Sequence, residues 1–291
     1  RRIYELLLGH GTLAPLGWLL SLISGKPVVS IVHGLDVTFA NQLYHAVFVR
    51  FALARADKLI AVGNETIRQA VIRGVARERC VYVSNGVDRA LKTVDKQQAL
   101  AQLHLNASNF HLLTLGRLVR RKGVAWFVKH VMPTLPENIV YLVAGDGPDR
   151  QAIERAIQEK RLDQRVKLLG RVSEEDKLLL YSAADAFVQP NIPVEGDMEG
   201  FGLVVLEAGM YGLPVIASRL EGLKDAILEG SNGELVTPLD QAAYRETILR
   251  LADDAEYRTA SGERAKTYVA GNLGWHKIAR QYHEELNTLL S

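Results

Sequence analysis

A single cysteine, Cys80, among 291 residues leaves no partner for an intramolecular disulfide and fits a reducing compartment. It follows the charged run 77–79 and opens Val81-Tyr82-Val83, so it reads as a half-buried structural thiol. No cysteine and histidine cluster has the spacing of a zinc site, and no resident metal is expected. Long apolar runs are equally scarce. The stretch over residues 13–23 is shorter than the roughly twenty residues that cross a bilayer, and it lacks the flanks of a signal peptide. It reads instead as a buried helix. Internal repeats and low-complexity tracts are missing. Charge of one sign is almost balanced out, at a formal +2, and nucleic acid is not an expected partner.

The balance hides an asymmetry. Residues 1–86 hold ten Lys and Arg against five Asp and Glu, whereas the remainder holds 25 against 28. A basic front half suits an anionic membrane surface or anionic substrates, and it reads equally as ordinary surface scatter.

What the chain does have is alternation. Short β-branched runs over 27–33, 58–62, 80–84, 111–115, 139–144, 166–169, 186–189 and 214–217 read as strands. Between them, helices are expected over 13–23, 41–54, 64–73, 123–132, 150–160, 173–183, 203–211, 242–253 and 256–270. A last amphipathic helix over 275–290 carries Trp275, Ile278, Tyr282, Leu286 and Leu289 at helical spacing. This order implies α/β layers with doubly wound parallel sheets. The turn-prone Ser84-Asn85-Gly86-Val87-Asp88 marks a boundary. It divides a small front lobe, 1–86, with three or four strands, from a second lobe, 87–270, with six; residues 271–291 form the final helix.

Five segments carry chemistry. In Glu199-Gly200-Phe201-Gly202-Leu203, two glycines let backbone N–H groups approach a ligand, and the apolar run behind them reads as a helix whose N-terminus attracts anions. Glu199 before that helix and Glu207 one turn inside it suit sugar hydroxyls beside a phosphate; the alternative is a helix start with solvated charges. Gly116-Arg117-Leu118-Val119-Arg120-Arg121-Lys122-Gly123 follows a strand end, where ligands of open α/β sheets bind. Arg117 as a fork and Lys122 as a point charge fit a diphosphate, though a basic surface loop would look the same. Gly145-Asp146-Gly147-Pro148 reads as a tight turn, with Asp146 closing the turn rather than meeting a ligand. Gly170-Arg171-Val172 ends another strand, where a nucleobase could lie against backbone. His33, in His33-Gly34-Leu35-Asp36, ends a front-lobe strand and faces the crevice, as a proton carrier or a structural residue. His10 is a weaker candidate of the same kind.

Together, in their order and spacing, His33-Gly34-Leu35-Asp36, Ser84-Asn85-Gly86-Val87-Asp88, Gly116-Arg117 through Lys122-Gly123, Gly145-Asp146-Gly147-Pro148, Glu199-Gly200-Phe201-Gly202 with Glu207, and Gly212-Leu213-Pro214-Val215 resemble the retaining glycosyltransferases of family 4, the group 1 glycosyl transferases of GT-B architecture. The resemblance runs from about residue 5 to the end. It implies two Rossmann-like lobes with the donor held mainly by the second. Arg117 and Lys122, with N–H groups of Gly202 and Leu203, would hold the donor diphosphate. Glu207 would take the ribose, Glu199 the transferred sugar, and Val172 the base through backbone groups. Gly145, Gly200 and Phe201 would complete the donor wall. His33 would lie by the anomeric carbon and O6. The catalytic set implied is therefore His33, Glu199, Arg117 and Lys122. Transfer would retain configuration, need no obligatory metal or other cofactor, and use the departing phosphate to take the acceptor proton. The final helix would cross back to the front lobe.

The implied function is transfer of a sugar from a UDP- or GDP-sugar to a glycan or glycolipid acceptor in cell-envelope polysaccharide synthesis, in the cytoplasm or at the inner face of the membrane. Two other readings stand beside it: a nucleotide-sugar epimerase of the same architecture and a non-catalytic fragment that binds a nucleotide-sugar. Family members are longer, with a Gly-rich loop in the front-lobe opening, and the chain begins at Arg1 rather than methionine. The first lobe is therefore expected to be incomplete, and the 291-residue chain to bind nucleotide weakly and turn over little.

Overall fold

A computed structural model describes residues 5–39, 41–88 and 93–289. The front lobe runs β1 (Leu6–Leu8), α1 (Ala14–Ser24), β2 (Val28–Val32), α2 (Leu35–Thr38), α3 (Gln42–Tyr44), β3 (Lys58–Ala61), α4 (Asn64–Ile72) and β4 (Cys80–Tyr82). Its four strands are parallel and ordered β1-β2-β3-β4. The second lobe runs α5 (Lys96–Gln102), β5 (Phe110–Leu115), α6 (Val124–His130), β6 (Ile139–Ala144), α7 (Arg150–Lys160), β7 (Val166–Gly170), α8 (Glu174–Ala183) and β8 (Ala186–Gln189). It continues through α9 (Leu203–Met210), β9 (Val215–Ser218), α10 (Leu223–Ala226), β10 (Glu234–Val236), α11 (Gln241–Asp253) and α12 (Ala255–Asn272). The final helix, α13, spans Trp275–Asn287; residue 290, at the end of the helix expected there, lies outside the described residues.

The second sheet is also parallel, ordered β10-β9-β8-β5-β6-β7. The order reverses between β5 and β8, so the chain leaves these neighbours toward opposite halves of the sheet and opens a crevice at their carboxyl ends. All six residues of β6 are buried, as a strand covered on both faces demands. Alternation sorts its neighbours between two cores. Leu113, Leu142 and Phe187 face one, whereas Leu112, Tyr141 and Val188 face the other.

The front sheet solves its two-face problem differently. Val28, Val32, Leu59 and Ala61 pack with α1 and α4 on one side. Val29 and Ile60, on the other side, join the cluster that holds Ile278, with Tyr282 and Leu286 packed against it. The apolar stripe of α13 therefore covers sheet belonging to residues more than 200 positions earlier. Lys58 fixes it there, its Nζ donating to the Glu285 carbonyl at 2.8 Å and pairing with Glu285 Oε2 at 2.9 Å. Where the chain crosses between lobes, the Val87 N–H donates to the Leu273 carbonyl at 2.9 Å and the Trp275 N–H to the Val87 carbonyl at 3.3 Å.

Several elements differ from expectation. Residues 41–54 do not form one α-helix: Asn41 caps the short α3, a π-helix follows over His45–Ala52, and a 3-10 turn covers Leu53–Arg55. The edge strand β10 and the helix α5 carry too few residues for periodicity to show; α5 starts where Asp95 accepts from the N–H groups of Gln97 and Gln98. Cys80 is buried rather than half-buried, and burial pushes its thiol above the ordinary value.

At Gly86 a Cβ would stand 2.6 Å from the Trp275 ring and 3.0 Å from its Cα. Gly86→Val is expected to lower unfolding stability by about 1–3 kcal/mol through overpacking where the chain recrosses. Urea unfolding of the two proteins checks this; equal midpoints would show that Trp275 yields freely.

Candidate functional site

The loops leaving β5 and β8 meet over the crevice. The Ile192 N–H donates to the Arg121 carbonyl at 2.9 Å, and at Gly123, with φ of 66°, a Cβ would collide with the Pro190 carbonyl at 1.9 Å. Only glycine allows so close an approach. The result is a buried charge cluster. Lys122 Nζ lies 2.5 Å from Glu199 Oε2, and both residues are over nine-tenths buried. Asn191 donates to the same oxygen at 3.1 Å, and Arg121 stands 3.8 Å away while bonding Asp197 at 3.1 Å. Asn191 is held in turn by Gln189 at 2.6 Å. Burial opposes the charge on Glu199, but Lys122 and then Arg121 outweigh it and keep its carboxyl below the ordinary range.

Glu199 is gripped through its backbone as well. Its N–H donates to Glu221 Oε2 at 2.6 Å, and its carbonyl accepts from Gly222 N–H at 3.2 Å. Burial pushes the Glu221 carboxyl up to about 7, and the negative charges of Glu199 and Glu65 add to the rise, against the Glu199 N–H bond and Arg121.

Gly200 then reaches the front lobe. A Cβ on it would lie 2.0 Å from the His33 carbonyl, so the backbones of the two lobes touch here. His33 ends β2, but its ring turns toward its own lobe, with Nε2 3.2 Å from the Gly9 carbonyl and the ring stacked on His10 at 5.7 Å. The buried Asp36 accepts from the N–H groups of His33 and Gly11 at 2.8 and 3.0 Å. Nearby, Asn64 donates twice to Asp225, from its backbone N at 2.8 Å and its side chain at 2.7 Å.

Gly202, with φ of 87°, and buried Phe201 lead into α9, whose start has no side-chain cap; Leu203 is exposed at its first position. One turn in, Glu207 accepts from the Tyr181 hydroxyl at 2.9 Å and sits 3.5 Å from Lys177. Lys177 also borders an open pocket with Arg117, Gly145, Asp146 and Val172. The structure thus forms three groups along one crevice: Lys122 with Glu199, Arg117 with Gly145 and Val172, and Glu207 with Lys177. Arg117 is exposed, whereas Lys122 is not, so the two cations expected side by side sit in different surroundings. Asp146 takes the Gly147 N–H at 2.8 Å, a turn-closing role.

Residues 95–268 match the family described as glycosyl transferases group 1, and residues 3–91 match glycosyltransferase family 4. The chain belongs to the group 1 glycosyltransferases. Among its relatives are the uncharacterized glycosyltransferase MJ1178 of Methanocaldococcus jannaschii, 26% identical over 94% of this chain and 73% of that protein. Another is D-inositol 3-phosphate glycosyltransferase 1 of Catenulispora acidiphila, 32% identical over 77% of this chain and 55% of that protein. In fold, this glycosyltransferase is similar to sucrose-phosphate synthase of Thermosynechococcus elongatus, with TM-score 0.82 and 27% identity over 97% of this chain and 73% of that one. It is also similar to Anabaena Alr3699/HepE, solved in complex with UDP, with TM-score 0.85 and 23% identity over 97% and 79%. The architecture is GT-B. No helix among the described residues is long and apolar enough to cross a membrane.

Sequence reasoning missed Glu221, Asn191, Lys177, Tyr181 and Asp225. Glu221 was within reach of the rule that found His33, since Leu220-Glu221-Gly222 lies just past the carboxyl end of β9. The others act through contacts that span many residues and leave no local pattern.

Glu221 generates a pH prediction. An unfolded glutamate ionises near 4.5, whereas this one is held up at about 7. Between those values the folded chain binds the extra proton, so its stability falls as pH rises through that window. Glu221→Gln is expected to lose this part of the slope. Melting temperatures at a series of pH values check it, and parallel curves for both proteins would contradict it.

Proposed function

We propose that this chain supplies the donor site of a retaining transferase that moves a sugar from a UDP- or GDP-sugar to a glycan or glycolipid acceptor. The observation that carries this reading is the pair of carboxylates, Glu199 and Glu207, flanking the uncapped start of α9 with cations beside each. Phosphate oxygens fit the uncapped N–H groups at Gly202 and Leu203 and the Arg117 guanidinium. Glu207, steadied by Tyr181, accepts from ribose hydroxyls, and the base rests on backbone near Val172 in the pocket bordered by Gly145. That HepE, a protein of similar fold, was solved with UDP supports a nucleotide in this crevice.

In this reading Lys122 exchanges partners. Donor phosphates draw its ammonium, and Glu199 turns to hydroxyls of the transferred sugar. The charge that grows on the departing diphosphate is then met by Arg117, Lys122 and helix-end N–H groups already in place, without an obligatory metal. That diphosphate takes the acceptor proton on the face it leaves. His33, whose carbonyl meets Gly200, reaches the anomeric carbon and O6 in this reading only by turning its ring away from the Gly9 carbonyl. A role in cell-envelope polysaccharide assembly, with the basic front lobe against an anionic inner membrane face, suits the charge asymmetry of the chain.

Lys122→Ala is expected to nearly abolish transfer, and Glu207→Ala to weaken donor affinity by roughly 10- to 150-fold, the equivalent of about 1.5–3 kcal/mol for one charged hydrogen bond. Calorimetric titration with UDP-glucose and GDP-mannose, coupled to detection of released nucleoside diphosphate, provides the measurement. Kinetics and affinities unchanged by either substitution would remove these residues from the site.

A further inference from the structure

Asn191 lies at the base of the crevice, two residues past the end of β8. Its backbone is fastened first. The N–H donates to the Gln189 carbonyl at 3.0 Å, and the carbonyl accepts from the buried Ser218 hydroxyl. Ser218, which ends β9, also meets the Tyr244 hydroxyl of α11 at 2.8 Å. The side chain is fastened separately, by Gln189 Nε2 donating to Asn191 Oδ1 at 2.6 Å.

That second fastening decides which way the amide faces. With Oδ1 occupied, Asn191 presents an N–H to Glu199, and its Nδ2 donates to Glu199 Oε2 at 3.1 Å. Turning either amide over would set two oxygens against each other. The arrangement is not the most stable one available. Gln189 Oε1 is buried and takes no hydrogen bond from a described residue, which is destabilising and which a methionine of similar length would avoid. What the Gln189 amide does provide is the orientation of Asn191.

The second observation lies at Glu199 itself. Lys122, Asn191 and Arg121 all meet Oε2, and Oε1 takes no hydrogen bond from a described residue. The carboxylate is held by one oxygen and has the other to offer. Of its three partners, the two cations are drawn to an incoming phosphate, whereas a neutral amide anchored at both ends stays where it is.

We propose that Asn191 is the positioning residue of Glu199, keeping Oε2 in place and Oε1 toward the transferred sugar when donor phosphates draw Lys122 away. The proposal rests on the donor reading for that sugar and for the departure of Lys122. Once the ammonium leaves, Glu199 is a carboxylate more than nine-tenths buried. Without a fixed donor such a group takes up a proton or swings out. The charged groups bearing on it are Lys122 and Arg121 from the loop after β5, Asp197 from its own loop, and Glu221 from the loop after β9.

The test follows the Glu199 carboxyl by carbon NMR of the full chain labelled at its glutamate carboxyls, with Glu199→Gln identifying the signal. Asn191→Ala removes the donor; Gln189→Met roughly keeps the volume and frees the Asn191 amide to turn. Each protein is titrated without nucleotide and at saturating UDP, with UDP affinity and melting temperature alongside. In the parent, Glu199 is expected to titrate below the ordinary glutamate range in both conditions. In Asn191→Ala its midpoint is expected to rise by about one pH unit with UDP bound, a tenfold change in proton affinity, and by less than half of that without UDP. Gln189→Met is expected to move it the same way by a smaller step, which decides the matter if Asn191→Ala does not fold. UDP affinity is expected to stay within about twofold of the parent in both.

Midpoints within about 0.3 pH unit of the parent in both variants at saturating UDP would overturn the proposal. So would an equal rise with and without UDP, which would make Asn191 a support for the resting ion pair alone. A loss of UDP affinity of about tenfold or more would overturn it too, by making Asn191 a prop for the whole loop. Should UDP not bind the parent, the donor reading fails by itself, and Lys122→Met withdraws the ammonium instead. Adding Asn191→Ala to that variant is then expected to raise the Glu199 midpoint by about one pH unit. Equal midpoints there would overturn the proposal without reference to any nucleotide.

Discussion

The burial of Lys122 against Glu199 is the constraint on which the crevice depends. Two charges withdrawn from water cost several kcal/mol each, and their attraction offsets that cost only with close geometry and further hydrogen bonds. Both conditions are built into the fold. The reversal of strand order between β5 and β8 places their loops side by side. Gly123 lets one loop press against Pro190 of the other, and Asn191 supplies the extra donor. Arg121 then ties Asp197 into the same cluster. Every residue around the pair thereby serves two ends, holding the loops and setting where a carboxylate and an ammonium can meet a ligand.

That arrangement also explains which parts of the protein could be read from its residues. The β-branched runs predicted the buried parallel strands well because a strand covered on both faces has no choice but to be apolar, as β6 is throughout. Five of the six strands of the second sheet were legible for the same reason, and β10 was too short. The recrossing of the last helix was implied by the family resemblance; only its amphipathic stripe was legible in the residues. The π-helix at His45–Ala52 was not, since its apolar spacing is close to that of an ordinary helix. Among site residues, Glu199, Arg117 and Lys122 stood out because each sits beside glycine in a loop after a strand, and Glu207 by its spacing of eight from Glu199, inside the helix that follows. The direct pairing of Lys122 with Glu199 did not, because 77 residues separate them and only the fold brings them together. Glu221 escaped notice for a different reason: an acidic residue before a glycine is common, and its left-handed backbone has no signature in composition.

The front lobe shows how a small sheet can be completed from far along the chain. Its strands succeed one another in order, with α1 and α4 on one side, and the other side would meet water but for Ile278 and its neighbours on α13. Contacts at the crevice then join the lobes at a second place, through Asn64 with Asp225 and Gly200 with His33. The lobes are therefore linked at the crevice by short polar contacts and along the back by apolar packing, two kinds of attachment that respond differently to salt and temperature.

The crossing at Val87 has a mechanical meaning. The polypeptide passes between lobes twice, once after β4 and once before α13, and the two passages are bonded to each other through Val87, Leu273 and Trp275. A single tether would permit swivelling about any direction. Two tethers fastened side by side resist torsion and leave bending as the soft coordinate, so the lobes are joined as a door is to its frame. The polar contacts between Asn64 and Asp225 add a further link between the lobes that such bending would have to break or carry along.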